Sequence, residues 1–127
     1  MDNKSSVNTY LRSDATWDAY QKEPLRGADE CFLCAPENLT IVKVFQYWLI
    51  VENQYPYDNV AEVHHMLVPI RHFARERDAD RAESSEALEI LQNLEEDSEY
   101  DCILKNYPKG QSHRSHFHYH LITWKHR

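Results

Sequence analysis

Hydrophobic and polar residues change rhythm several times along this chain. From Ser115 to Trp124 the order Ser-His-Phe-His-Tyr-His-Leu-Ile-Thr-Trp alternates histidine with an apolar residue three times, then turns apolar. Alternation with aromatic and β-branched residues has the two-residue period of a strand, here over 116–124. His116, His118 and His120 then share one face, while Phe117, Tyr119 and Leu121 turn toward a core. Residues 39–45 and 47–53 read as two further strands, close enough to pair as a hairpin. A turn-rich loop follows at 54–59, with Pro56 and Asp58-Asn59. Residues 64–69 form a third strand, ended by Pro69, and 100–106 a fourth. Ala87, Leu88, Ile90, Leu91 and Leu94 recur at helical spacing and predict the main helix over 80–94, with Glu83, Glu86, Glu89 and Glu95 mostly on its solvated face. A short helix capped by Ser13 and stopped before Pro24 would pack Trp17 and Tyr20, three apart, against the domain. This order predicts an α+β fold: a mostly antiparallel sheet of about five strands, one main helix and a short N-terminal helix.

Composition adds bounds. A chain of 127 residues, 42% hydrophobic and 12% aromatic, suits one globular domain rather than a disordered segment. A net charge of −7 argues against general nucleic-acid binding, although a histidine-rich pocket can still hold a nucleotide. No apolar run approaches the roughly 20 residues that span a bilayer, and no signal-peptide pattern opens the chain. The expectation is a soluble, cytoplasmic protein with no membrane partner.

The three cysteines, at 31, 34 and 102, do not suggest a disulfide framework. Cys102 reads as a small buried core residue. Cys31-Phe32-Leu33-Cys34 admits three readings: a redox pair, half of a zinc site, or two buried small residues. The redox context is poor, because Arg26-Gly27-Ala28-Asp29-Glu30 precedes it and Pro36 follows soon after. Two cysteines at this spacing supply half of a tetrahedral Cys2His2 site, and the chain has histidines to spare. The histidine strand is likewise a solvent face, a metal site built on a His-x-His pair, or a phosphate site with histidine as nucleophile and acid.

The spacing His-φ-His-φ-His-φ-φ, with φ apolar, resembles the signature of the histidine-triad (HIT) family of nucleotide hydrolases and transferases. Other segments resemble that family in the same order: His64-x-x-x-x-Pro69-x-x-His72, Asn106 at a strand end, and Gly110-Gln111-Ser112 before the triad. Cys31 and Cys34 resemble its zinc-containing branch. The likeness covers roughly residues 30–124, which divides the chain into an N-terminal extension, 1–29, and a HIT-like domain, 30–127.

The resemblance implies an enzyme. His118 would attack the α-phosphate of a nucleotide to give a covalent nucleotidyl-histidine, which water hydrolyses. His120 would contact the phosphate and help the leaving group depart. Asn106, Gln111 and Ser112 would give polar contacts to ribose and phosphate, and His64 would lie near the phosphates. It also implies a structural zinc on Cys31, Cys34, His72 and His116, and no organic cofactor. The substrate would be a purine nucleotide or nucleotide conjugate. It implies a homodimer as well, with Tyr47, Trp48 and Tyr55 as exposed aromatics available to the interface. His65, opposite His64 on its strand, would be packing or a dimer contact. The chain departs from the pattern in one place: three residues, His113-Arg114-Ser115, stand where the family has two, so the family's serine position falls on His113. The loop between Asn106 and Gly110 is also shorter than the family's, and Arg114 adds a cation near it. Two other readings compete. One is a non-catalytic nucleotide-binding or adaptor module with a structural zinc. The other is a metal-dependent hydrolase with His116 and His118 on an open zinc and Asp101 as its carboxylate.

Overall fold

The computed structural model describes residues 8–22, 31–107 and 116–125. Two short helices, α1 (Asn8–Leu11) and α2 (Asp14–Lys22), precede 3-10 turns at Phe32–Cys34 and Pro36–Asn38. Strands β1 (Ile41–Val44), β2 (Trp48–Glu52) and β3 (Ala61–Pro69) follow, then helix α3 (Arg81–Glu96), β4 (Cys102–Leu104) and β5 (Tyr119–Trp124). The strands form one sheet in the order β1-β2-β3-β5-β4, each pair antiparallel. The α+β architecture expected from the residue pattern is present.

Alternation along the strands gives the sheet two different faces. Trp48 and Ile50 of β2, Leu67 of β3, and Tyr119 and Leu121 of β5 join Phe117 and Phe73 against Ala87 and Ile90 of α3. The opposite face buries Val51, Met66 and Val68 beneath Leu33 of the cysteine turn. The histidine run obeys this rule, but the regular strand begins only at Tyr119. Residues 116–118 continue the alternation outside the ladder, anchored where the Phe117 N–H donates to the Phe73 carbonyl at 2.7 Å. Strand β3 also begins three residues before the expected His64, at Ala61.

Helix α3 starts where its sequence provides a capping box. The Asp80 carboxylate accepts from the Glu83 N–H at 2.8 Å, and the Glu83 carboxylate accepts from the Asp80 N–H at 2.8 Å. Glu83 therefore does not belong to the solvated acidic face. It is buried, bonded to Arg71 at 2.7 and 3.1 Å, and its carbonyl accepts from the Trp48 indole N–H at 2.9 Å. Trp48 is likewise not an exposed aromatic. It is 1% exposed, wedged between the sheet and α3 with Phe73, Phe117 and Tyr119 around its ring. Tyr47 and Tyr55 are half-buried. His65 serves packing: its Nδ1 lies 2.6 Å from the Tyr100 hydroxyl. Among the described residues, no helix is long and apolar enough to cross a membrane.

The N-terminal segment is bonded to the loop between β2 and β3. Ser13 starts α2 as expected, with its Oγ accepting from the Thr16 N–H at 3.2 Å. The Asp58 carboxylate accepts from the Ser13 N–H, the Ser13 hydroxyl and the Thr16 hydroxyl at 2.6–2.8 Å. Asn59 adds bonds to the carbonyls of Tyr10, Leu11 and Arg12. These six bonds fasten residues 10–16 to a two-residue turn.

Candidate active site and metal centre

Two clusters of titratable groups lie on the sheet face away from α3. In the first, Cys31 and Cys34 project from one 3-10 turn, His72 from the segment after β3, and His116 from just before β5. The Cys31 Sγ lies 3.2 Å from the His116 Nδ1, and the Cys34 Sγ 3.0 Å from the His72 Nδ1 and 3.3 Å from the His116 Nδ1. The two imidazole Nδ1 atoms are 3.2 Å apart, and all four donor atoms fall within 4.8 Å of one another. Around a tetrahedral zinc, bond lengths of about 2.0–2.3 Å give donor-to-donor edges of about 3.3–3.8 Å. The four separations given above are a few tenths of an ångström shorter and all six stay within 4.8 Å, so the set could close on a small tetrahedral cation by small side-chain movements.

The surroundings also suit a metal. The His116 Nε2–H donates to the Pro69 carbonyl at 2.9 Å, which fixes the tautomer and turns the Nδ1 lone pair toward the thiols. Burial, with His72 and His118 nearby, holds the His116 pKa down to about 4 against the pull of that hydrogen bond, so the ring is neutral. Desolvation and the adjoining Cys31 push the Cys34 thiol up to about 11, so a bound cation would displace its proton. Four protein donors leave no position for water, which makes this a closed, structural type of site.

The second cluster contains His64, His118, His120 and Asn106. His118 is buried; its Nδ1–H donates to the His116 carbonyl at 3.1 Å, which places the lone pair on Nε2. Burial lowers its pKa, opposed by that hydrogen bond. Its ring meets that of His120 at 4.9 Å, nearly perpendicular.

A directional chain fixes His120. The Tyr57 N–H donates to the His64 Nδ1 at 2.9 Å, so neutral His64 carries its proton on Nε2. That Nε2–H faces the His120 Nδ1 at 2.8 Å, leaving the His120 proton on Nε2; the Asn106 Nδ2 lies 3.2 Å from that nitrogen, so the Asn106 amide accepts the proton only when turned to present its oxygen. The Asn53 amide, oriented by the bond its Oδ1 accepts from the Tyr55 N–H, approaches the His64 Nε2 at 3.4 Å with a donor facing a donor, so that contact is not a hydrogen bond. His64 is held neutral, its pKa down to about 3, first by burial and then by Arg12, His118 and His65.

The structure thus brings Cys31, Cys34, His72 and His116 together, and separately His64, His118, His120 and Asn106. Gln111 and Ser112, together with His113, Arg114 and Ser115, lie outside the described residues. His118 is not among the four metal-type donors, and the Asp101 carboxylate accepts from the Trp124 N–H at the far end of β5. Tyr57, whose N–H starts the chain and whose ring lies 4.4 Å from that of His64, was not singled out by the sequence. Its only signal there is an aromatic beside a proline in a polar loop.

No protein-family model and no curated protein sequence matches the chain. Solved structures do. A histidine triad protein from Clostridium difficile superposes with a TM-score of 0.57 at 22% identity, over 81% of this chain and 96% of its own. A HIT family hydrolase from Clostridium thermocellum gives 0.58 at 20% identity, over 76% and 92%. A hypothetical histidine triad nucleotide-binding protein from Sulfolobus tokodaii gives 0.59 at 23%, over 76% and 71%. The chain has the histidine-triad fold.

Proposed function

We propose that the protein is a histidine-triad nucleotide hydrolase or transferase working through a nucleotidyl-histidine. The observation that carries this reading is the opposite polarity of two adjacent imidazoles, with a lone pair on the His118 Nε2 and a proton on the His120 Nε2. The His118 Nε2 forms a bond to the α-phosphorus while the bond from phosphorus to the leaving group breaks. The His120 Nε2–H hydrogen-bonds the phosphate or leaving atom as negative charge develops there, and the departing group takes up its proton from solvent. Water then attacks the phosphorus, loses a proton to solvent and frees His118. A preorganised donor aimed at charge that develops in the transition state contributes about 10²–10³ in rate. Neutral His118 is a nucleophile without first losing a proton, and its burial supports that state. Asn106, Gln111 and Ser112 would contact ribose and phosphate, on a purine nucleotide or its conjugate.

Cys31, Cys34, His72 and His116 would hold a zinc ion, which supplies a cross-link from the cysteine turn to the base of β5 and no reacting group. The proposed enzyme is a homodimer, as the resemblance implies. The deciding experiment is intact-protein mass spectrometry after brief incubation with an adenosine phosphoramidate, beside His118→Ala. A transient adduct of one nucleotide mass, absent from the variant, is expected. Nucleotide bound with neither adduct nor turnover would instead favour a binding module, and no binding at all would overturn both.

A further inference from the structure

The region between β2 and β3 carries an arrangement that the nucleotide chemistry above does not use. Arg12, in the N-terminal segment, is only 3% exposed. Its guanidinium lies between two aromatic rings, 4.6 Å from the centre of Tyr20 and 4.7 Å from that of Tyr57. Its Nε donates to the Tyr55 carbonyl at 2.8 Å, while its Nη1 is buried with no hydrogen-bond partner. A buried cation with an unpaired donor is costly to keep, and a methionine would fill the same space without that cost. Its position suggests what it does.

Tyr57 is itself 4% exposed and touches the histidine pair in two ways. Its N–H donates to the His64 Nδ1, and its ring packs on both His64 at 4.4 Å and His120 at 5.4 Å. Tyr20, Arg12, Tyr57, His64 and His120 therefore form one continuous stack from the N-terminal helix to the site. Arg12 is the member that grips the loop, through a ring face and a backbone carbonyl two residues apart.

We propose that Arg12 is a positioning residue, through which the N-terminal segment holds Tyr57 in the place that fixes the His64 and His120 tautomers. This role rests on the nucleotidyl-transfer reading for its importance in catalysis, but not for its geometry. A guanidinium suits it because a planar cation can lie between two rings while still donating in its own plane. The positive charge also disfavours a charged His64, after burial the next influence in that direction. The six bonds to Asp58 and Asn59 set where Arg12 enters the stack, so the extension contributes to the site without touching substrate.

The test compares wild type with Arg12→Met and Arg12→Lys, each verified as folded by circular dichroism. Steady-state kinetics on adenosine phosphoramidate and histidine side-chain nitrogen NMR are the two readouts. A shift of the donor geometry predicts kcat lower by about tenfold in Arg12→Met and about threefold in Arg12→Lys, with KM within about twofold. The nitrogen spectra should change from one fixed tautomer at His64 and His120 toward averaged signals in the same rank order. A folded variant, of either type, that keeps wild-type kcat and the wild-type tautomer pattern overturns the proposal. The lysine variant remains decisive if the methionine variant does not fold. The spectra need no substrate, so they decide the positioning role even if wild type turns over no nucleotide, a result that by itself would overturn only the proposed function.

Discussion

Acidification should weaken this protein through His64, by an amount the structure allows to be worked out. In the unfolded chain a histidine titrates near 6.5, whereas in the fold His64 is held down to about 3. As pH falls through 6.5, the unfolded chain takes up a proton that the folded chain refuses. The stability from neutral His64 is therefore complete above about pH 6.5 and is lost as pH falls toward the native value, at about 1.4 kcal/mol per unit. Between about pH 7 and pH 5 the loss is about 2 kcal/mol from this group alone. His64 is 5% exposed, so solvent screening does little to reduce the effect. Urea unfolding of wild type and His64→Gln at both pH values brings it out, because metal loss and the titrations of groups remote from His64 are common to the two proteins and cancel. Wild type should lose about 2 kcal/mol more than the variant over that range. Equal losses in the two proteins would mean that His64 accepts a proton in the folded state, and the fixed donor order from Tyr57 to His120 would fail with it.

Two further predictions concern the metal centre and the core. Elemental analysis of protein purified without chelator should find about one zinc per chain, and removing it should lower Tm while Cys34→Ser lowers it without further response to chelator. A metal-free preparation with unchanged Tm would refute the site. Phe117→Ala should cost about 3–5 kcal/mol in urea denaturation, because the ring is 2% exposed and packs on Trp48, Phe73 and Tyr119. A loss below about 1 kcal/mol would mean that the α3 side of the sheet collapses around the gap.

Much of this was legible in the residue pattern because it depends on local periodicity. The alternating histidines give the side of β5 that each ring occupies, and the 3.6-residue apolar spacing gives α3 within two residues of its observed end. Cys31, Cys34, His72 and His116 converge as the resemblance implied. The misreadings share a different cause. Glu83 has solvent-facing neighbours in sequence and Trp48 stands between the half-buried Tyr47 and Leu49; the two bury each other across 35 residues, through one indole N–H and one carbonyl. Arg12 is similar: a lone arginine near a chain start carries no signal, and only its partners at 55 and 57 give it a place.

The parity of residues 116–121, the three that lead into β5 and its first three, has a consequence for how this protein tolerates change. Odd positions 117, 119 and 121 answer to packing against α3; even positions 116, 118 and 120 answer to chemistry. In a library of single substitutions the two series should fail differently, the odd ones as lost abundance and the even ones as lost turnover in soluble protein. A one-residue deletion just after Trp124 would spare both, whereas one between His116 and His120 would exchange the faces of whatever lies beyond it. Drift along this strand is thus confined to substitution, and length itself is the invariant quantity.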